Sequence, residues 1–324
     1  MTVLITGAAG FIGSHAVRHL LATHRTVVAT DVVPAAEAER LTDLLEHPRL
    51  RYVPGDLFTL LPDLLEGTDE VWHLAANADI PLGARDTEID LRQSAGLTRH
   101  VLEAMRAHGV TTIVFPSTSG VYGDRLGPLV TEADGPLLPN SLYAAGKVAS
   151  EALISAYCAM FGLRGRVYRL GNVLGGQMGR GIVRDFLRKL QENPTELHVL
   201  GDGRQRKSYV LIDDIVAGMD RVTRATDGPG HPPCEVYNLA AGGSVDTAGV
   251  AALVARALDL DPPAIRTDDA ALSWLGDQPV IELSIDKAVS TGWRPEHTAE
   301  QSVLESARRM LAEQRRPAET GGRA

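Results

Sequence analysis

Short apolar runs rich in β-branched residues alternate with longer amphipathic stretches through the first 170 residues. That is the signature of successive strand-helix-strand units around a parallel sheet. The runs predict strands near 2–6, 26–31, 51–53, 70–74, 111–116 and 165–170. The intervening stretches predict helices at 11–23, 37–46, 90–108 and 143–161. Each interval is long enough for a right-handed crossover between parallel neighbours. The expected fold class is therefore α/β, a Rossmann-like doubly wound parallel sheet.

After Gly171 the rhythm changes. Gly175, Gly176, Gly179 and Gly181 cluster before an amphipathic stretch at about 182–191, and a Gly201-Asp202-Gly203 turn follows. Val236-Tyr237-Asn238-Leu239 reads as one more strand of the first sheet. The chain is thus expected to hold a nucleotide-binding domain over 1–171 and 212–240. A smaller, discontinuous substrate domain would take 172–211 and 241–312, and a polar tail without periodicity would take 313–324.

Composition narrows the function. The 324 residues carry 32 Lys+Arg against 41 Asp+Glu, a net charge of −9, and no dense basic run, which argues against nucleic acid as a partner. Two cysteines, Cys158 and Cys234, speak against a disulfide framework or a zinc site, and no metal is expected. The opening Met1-Thr2-Val3-Leu4-Ile5 enters a strand directly, without the marks of a signal peptide. No apolar run reaches the length of a membrane span. The expectation is a cytoplasmic protein with no membrane partner.

Candidate chemistry starts at Gly7-Ala8-Ala9-Gly10-Phe11-Ile12-Gly13, which joins the first strand to the first helix. Gly7 permits the tight turn, Gly10 lets backbone approach a pyrophosphate at the helix N-terminus, and Gly13 lets helix and strand pack closely. Asp31 closes the second strand, where a carboxylate takes the adenosine ribose hydroxyls and repels a 2′-phosphate, so NAD is favoured over NADP. Asp56-Leu57 follows the third strand. His73 with Leu74-Ala75-Ala76 ends the fourth, and those small residues leave room for a dinucleotide across the sheet edge. His73 itself reads as a packed, hydrogen-bonded histidine.

Tyr143 and Lys147 stand one helical turn apart on a common face. A lysine ammonium beside a phenol favours the phenolate, which suits a general base acting on a hydroxyl. Thr118, in Ser117-Thr118-Ser119 at the end of the fifth strand, is placed to hydrogen-bond that hydroxyl.

Taken in order, these motifs, with Val121-Tyr122-Gly123, Arg169 to Asn172 and Gly201 to Asp214, resemble the extended short-chain dehydrogenase/reductases, in particular the NAD-dependent nucleotide-sugar epimerases and dehydratases. The resemblance runs over about residues 1–312. It implies that Tyr143 is the base, Thr118 its hydroxyl partner and Lys147 the holder of the nicotinamide ribose. Gly7, Gly10, Phe11, Ile12, Gly13, Asp31, Asp56, Leu57, Leu74, Ala75, Ala76, Ser117 and Leu170 would complete the NAD site. Asn77, Ser119, Asn172, Arg206 and Lys207 would face a nucleotide-diphosphate sugar.

Relatives that dehydrate carry Asp-Glu after the threonine, and decarboxylating relatives carry a glutamate two positions after it. This chain has Ser119-Gly120. What remains is the set for reversible oxidation at a sugar hydroxyl, which resembles the 4-epimerases acting on UDP-glucose and UDP-galactose. Two departures leave the nucleotide open. Ser273-Trp274-Leu275 stand before Gly276-Asp277 where many such relatives have an arginine, and Lys207-Ser208 replaces an Arg-Asp pair. A net dehydrogenase or ketosugar reductase is the alternative enzyme, and a dinucleotide-sensing binding protein the non-enzyme alternative.

Family members commonly pair the helices near 90–108 and 143–161 into a homodimer. Val101, Leu102, Met105, Leu153, Ile154, Tyr157 and Met160 would then form the apolar contact. The competing reading places the same residues in the chain's own core.

Overall fold

The computed structural model describes residues 1–124, 129–268, 278 and 280–315. Seven strands form one parallel sheet: β1 (Thr2–Thr6), β2 (Thr26–Asp31), β3 (Leu50–Pro54), β4 (Glu70–His73), β5 (Thr112–Thr118), β6 (Arg164–Leu170) and, much later in the chain, Cys234–Leu239. The spatial order is β3, β2, β1, β4, β5, β6 and then the Cys234–Leu239 strand. The order reverses between β1 and β4, so the crevice at their carboxyl ends is where a ligand is expected. β1 is in register with both neighbours, Val3 standing beside Val27 and Glu70.

Strand alternation feeds two cores, one on each face. Val3 and Ile5 of β1 join Val27, Ala29 and Trp72 under α1 (Phe11–Ala22). Leu4 points the other way, to Val28, Val71, Ile113 and Phe115, which are covered by α2 (Leu57–Leu65), α3 (Leu97–His108) and α4 (Leu142–Phe161). Helix limits follow local chemistry. Asp56 caps α2 by accepting from the Phe58 amide, Ser141 caps α4 by accepting from Ala144, and glycines with φ near +70° at 109 and 162 end α3 and α4.

The predicted strands are all present within about two residues, including the late return beside β6. One helix expectation needs correction. The stretch 37–46 is not an α-helix but two short 3-10 turns, Ala35–Glu37 and Glu39–Leu41, followed by irregular turns. Pro34 and Pro48 bracket it, and the Arg40 guanidinium is drawn across to the Gln177 and Ala9 carbonyls. The expected helix at 90–108 is present as part of one continuous helical run from Thr87 to His108, with a π-helical turn, Leu91–Gly96, ahead of α3. Helix α2, which holds Pro62 internally, had no sequence forecast.

The remainder packs at the carboxyl edge of the sheet as short paired strands. Asn172–Leu174 pairs with Tyr209–Leu211, and Arg206–Lys207 pairs with Val245–Asp246 and Val280–Ile281. Helices Ile182–Glu192 and Thr247–Ala257 pack with them, whereas Ile212–Thr226 lies beside α1 on the main sheet, where Tyr168 of β6 bonds Met219 and Thr223. The last helix, Ala299–Gln314, opens with a Thr298/Gln301 capping box. It runs two residues into the expected tail, and 316–324 lie outside the described residues, as do Ser273, Trp274, Leu275, Gly276 and Asp277.

Of the residues offered for a dimer contact, Val101, Leu102, Met105 and Ile154 are fully buried in the chain's own core. Leu153 and Tyr157 pack partly against it, while Met160 is 71% exposed.

Candidate active site

A cavity of about 1030 Å³ opens along the carboxyl edge, running from Asp31 past the glycine turn to Tyr143. At its first end Gly7 has φ +69°, and a side chain there would strike the backbone of Leu74 and Ala75. A Cβ on Gly13 would lie 2.0 Å from the Gly7 carbonyl oxygen. Both glycines are thus required by space, and Gly10 caps α1 without a side chain at the cavity wall. Asp31 accepts from the Ala9 amide at 2.9 Å and the Val33 amide at 3.3 Å, which ties the glycine turn to the end of β2. A backbone cradle at a helix N-terminus, with a carboxylate at the neighbouring strand end, fits an adenine dinucleotide.

The wall at β4 is set by one threonine. Thr6 Oγ1 accepts from the Leu74 and Ala75 amides and donates to His73 Nδ1 at 2.9 Å. That arrangement leaves the proton on Nε2, which faces Thr98 Oγ1 at 3.3 Å. Thr98 donates to Ser150, and Ser150 donates to the Gly146 carbonyl. The buried imidazole is held well below its ordinary value, at about 3, by burial and then by the Lys147 charge. His73 is therefore a neutral link between β4 and α4, as the sequence implied.

α4 places Tyr143 and Lys147 on the cavity wall, opposite Ser117 and Thr118 from the end of β5. The Lys147 ammonium donates to the Pro116 carbonyl at 2.8 Å and lies 4.4 Å from the centre of the Phe115 ring. Burial lowers it to about 8, against the opposing pull of Glu151. The Tyr143 phenol is raised to about 12, first by loss of water and then by the Asp90 carboxylate, with Arg180 acting in the opposite sense. The lysine is turned toward a strand carbonyl, and the charges that shift the Tyr143 phenol are those of Asp90 and Arg180.

Beneath Ser117 sits a buried ion pair. Arg169 Nη2 meets Glu151 Oε2 at 2.7 Å, and Ser117 Oγ donates to Glu151 Oε1 at 2.5 Å. This joins β5, β6 and α4 directly under the catalytic end.

All the residues expected to hold NAD line the cavity: Gly7, Gly10, Phe11, Ile12, Gly13, Asp31, Asp56, Leu57, Leu74, Ala75, Ala76, Ser117, Tyr143, Lys147 and Leu170. Thr118 lines it too. The substrate set fares differently. Asn77 is on the wall, but its amide donates to the Asp79 carbonyl and Asp90 Oδ1, and its oxygen accepts from the Asp79 amide. Ser119 is buried and turned away, and Asn172, Arg206 and Lys207 are not on the cavity wall. Arg206 is held by Ser244 and faces Asp246, and Lys207 sits in the short strand beside Val245. That strand pairs into its own small sheet, outside the cavity wall.

In their place the structure brings Arg92, from the π-helical turn, and Arg180, from the glycine-rich loop. Arg180 reaches the Ala78 carbonyl and the Asp79 carboxylate. The clustered glycines flagged that loop but gave no sign of the arginine's partner.

The chain matches the NAD dependent epimerase/dehydratase family over residues 3–241. The chain belongs to that family. It is 30% identical over 317 residues to the dTDP-glucose 4,6-dehydratase of Streptomyces griseus, spanning 91% of this chain and 94% of that one. It is 31% identical over 312 residues to the UDP-glucose 4-epimerase of Mycolicibacterium smegmatis, again over 91% and 94%. Among solved structures, a UDP-galactose 4-epimerase superposes with a TM-score of 0.82 at 32% identity, over 97% of this chain and 99% of that one. MoeE5 in complex with UDP-glucose and NAD gives 0.83 at 28% identity, over 97% and 100%. This family member is an NAD-dependent enzyme of the nucleotide-sugar epimerase/dehydratase type, and its cofactor is NAD.

Proposed function

We propose that the protein is a 4-epimerase of a nucleotide-linked hexose, with UDP-glucose and UDP-galactose as the default pair. What supports this reading is that no acidic residue directly follows Thr118 and none lines the described cavity wall at the Tyr143 end, the nearby Asp90 and Glu151 carboxylates being buried behind Asn77 and Ser117. The acidic residues on the wall are Asp31 and Asp56, both at the other end. Elimination of water from the sugar needs an acid and a base at that place, and the residues after Thr118 are Ser119, turned inward, and Gly120. A Cβ on Gly120 would stand 3.3 Å from the Ala144 methyl.

Bound NAD supplies the hydride acceptor for the sugar carbon and the donor for the return. Within that frame Tyr143 removes the proton from the 4-hydroxyl and later gives it back, and Thr118 holds the hydroxyl oxygen. Lys147, fixed on the Pro116 carbonyl, orients the nicotinamide ribose. The Gly7 to Gly13 turn takes the pyrophosphate and Asp31 the adenosine ribose. A 4-keto sugar must turn over before reduction on its other face. A cavity at the upper end of the ~300–1,000 Å³ range for small-molecule sites leaves space for both ligands. The same reading divides the chain into an NAD-binding domain (1–171, 212–240) and a sugar-nucleotide domain (172–211, 241–312). A homodimer would form through the outer face of α4 around Met160, to be checked by light scattering.

The test is incubation of the purified protein with a panel of nucleotide hexoses, without added cofactor. An isomeric product of unchanged mass, lost in Tyr143→Phe, supports epimerisation. A product lighter by one water would make the protein a dehydratase, and turnover only with added NAD(P)H would make it a reductase.

A further inference from the structure

The chain's two cysteines, 76 positions apart, meet in the fold. Cys234 opens the last sheet strand directly beside Gly165 of β6, and Cys158 descends on the same glycine from α4. A Cβ on Gly165 would lie 3.1 Å from the Cys158 sulfur and 3.3 Å from the Cys234 sulfur, so both thiols face the space left by the missing side chain. Each thiol is the first influence on the other's protonation, and Ser155 also acts on Cys234. Cys158 is buried, whereas Cys234 is part-exposed. Neither lines the active-site cavity.

We propose that Cys158 and Cys234 are a dithiol modification site, oxidised by hydrogen peroxide to a disulfide that staples α4 to the edge strand. Exposure and charge assign the roles. The buried Arg166 guanidinium, held by the Gly165, Pro232 and Pro233 carbonyls, lies in the same corner. The Cys158 thiol, and this positive charge, lower Cys234 below the ordinary thiol value, while the Cys234 thiol raises Cys158. Cys234 is the attacking thiolate and Cys158 the resolving thiol.

The Cys234 thiolate attacks the peroxide, forming S–O as O–O breaks and releasing one water after protonation. The Cys158 sulfur then displaces the sulfenic oxygen: S–S forms, S–O breaks, and the oxygen leaves with the Cys158 proton as a second water. Two electrons pass from the thiol pair to the peroxide.

The test treats the full-length, NAD-loaded protein with hydrogen peroxide, blocks residual thiols by alkylation, and maps peptides by mass spectrometry. The expected result is concerted loss of both thiols, a mass lower by two hydrogens, and one cross-linked peptide pair restored by dithiothreitol. In Cys158→Ser, dimedone should tag Cys234, and in Cys234→Ser, Cys158 should stay unmodified. Stepwise oxygen addition to wild-type Cys234 without linkage, a link only between chains, or dimedone tagging of Cys158 would each overturn the proposal. Circular dichroism of the two serine variants confirms that they are folded.

Discussion

Gly13→Ala tests whether close packing sets the cofactor cradle. The new Cβ would sit 2.0 Å from the Gly7 carbonyl oxygen, 2.8 Å from Ala8 Cα and 2.9 Å from the Gly7 carbonyl carbon. All three are backbone atoms, so no side chain can swing aside. Reaching ordinary contact requires α1 to move by roughly 1.5 Å relative to β1, since non-bonded heavy atoms settle near 3.5–4.0 Å. That movement drags Ala16, Val17, Leu20 and Leu21, which are buried on the same helix. Overpacking of this kind costs ~1–3 kcal/mol, a fall in Tm of about 1–5 °C for a chain of this size. The same shift withdraws the α1 amides from the pyrophosphate position. Loss of one charge-assisted hydrogen bond, ~1.5–3 kcal/mol, weakens NAD binding at least about tenfold. Differential scanning fluorimetry and calorimetric titration with NAD read the two effects. Gly228→Ala, where nothing lies within 4 Å of the added carbon, is the matched control and should show neither. If Gly13→Ala melted with the wild type and kept its NAD affinity, the close approach of helix and strand would not be what shapes the cradle.

Three more outcomes are expected. Asp31→Ala removes the acceptor for two amides and the carboxylate offered to the ribose, so the Kd for NAD should rise about tenfold to a hundredfold; a change within twofold in a titration would count against the assigned ribose contact. Glu151→Ala leaves the Arg169 charge buried and should cost ~3–5 kcal/mol in urea unfolding, with a loss under about 1 kcal/mol being incompatible with that account. Because His73 is held at about 3 in the fold against an ordinary 6.5, the unfolded chain takes the proton first as the pH falls. Stability should therefore decline from about pH 6.5 downward. His73→Gln should flatten that part of the urea-midpoint profile, and parallel profiles would exclude His73 as the source.

The nucleotide end of the site was legible because its chemistry is local. Gly7, Gly10 and Gly13 lie within one turn of chain, and Asp31 is fixed by the strand that precedes it. Tyr143 and Lys147 were legible for the same reason, being neighbours on one helix. The sugar end was not. Arg180 reaches Asp79 across a hundred residues of chain, and Asn77 is engaged by Asp90 rather than left open, neither of which any spacing encodes. Arg206 and Lys207 looked like a phosphate grip as a pair, but strand alternation and pairing with Val245–Asp246 decided where they went. The segment 37–46 has helix-forming residues throughout, yet the flanking prolines and the tether of Arg40 to Gln177 overrode that preference.

The late sheet strand has a consequence for biosynthesis. β6 is complete at Leu170, but the strand that covers its outer edge begins at Cys234. At ribosomal rates of ~5–20 residues per second, the roughly 60 intervening residues take about 3–12 seconds to emerge. During that interval the nascent chain presents the unpaired backbone of β6 as a template for any other strand. A product ending near residue 171 would keep that edge permanently and should accumulate in inclusion bodies, whereas one extended past Leu239 closes the sheet.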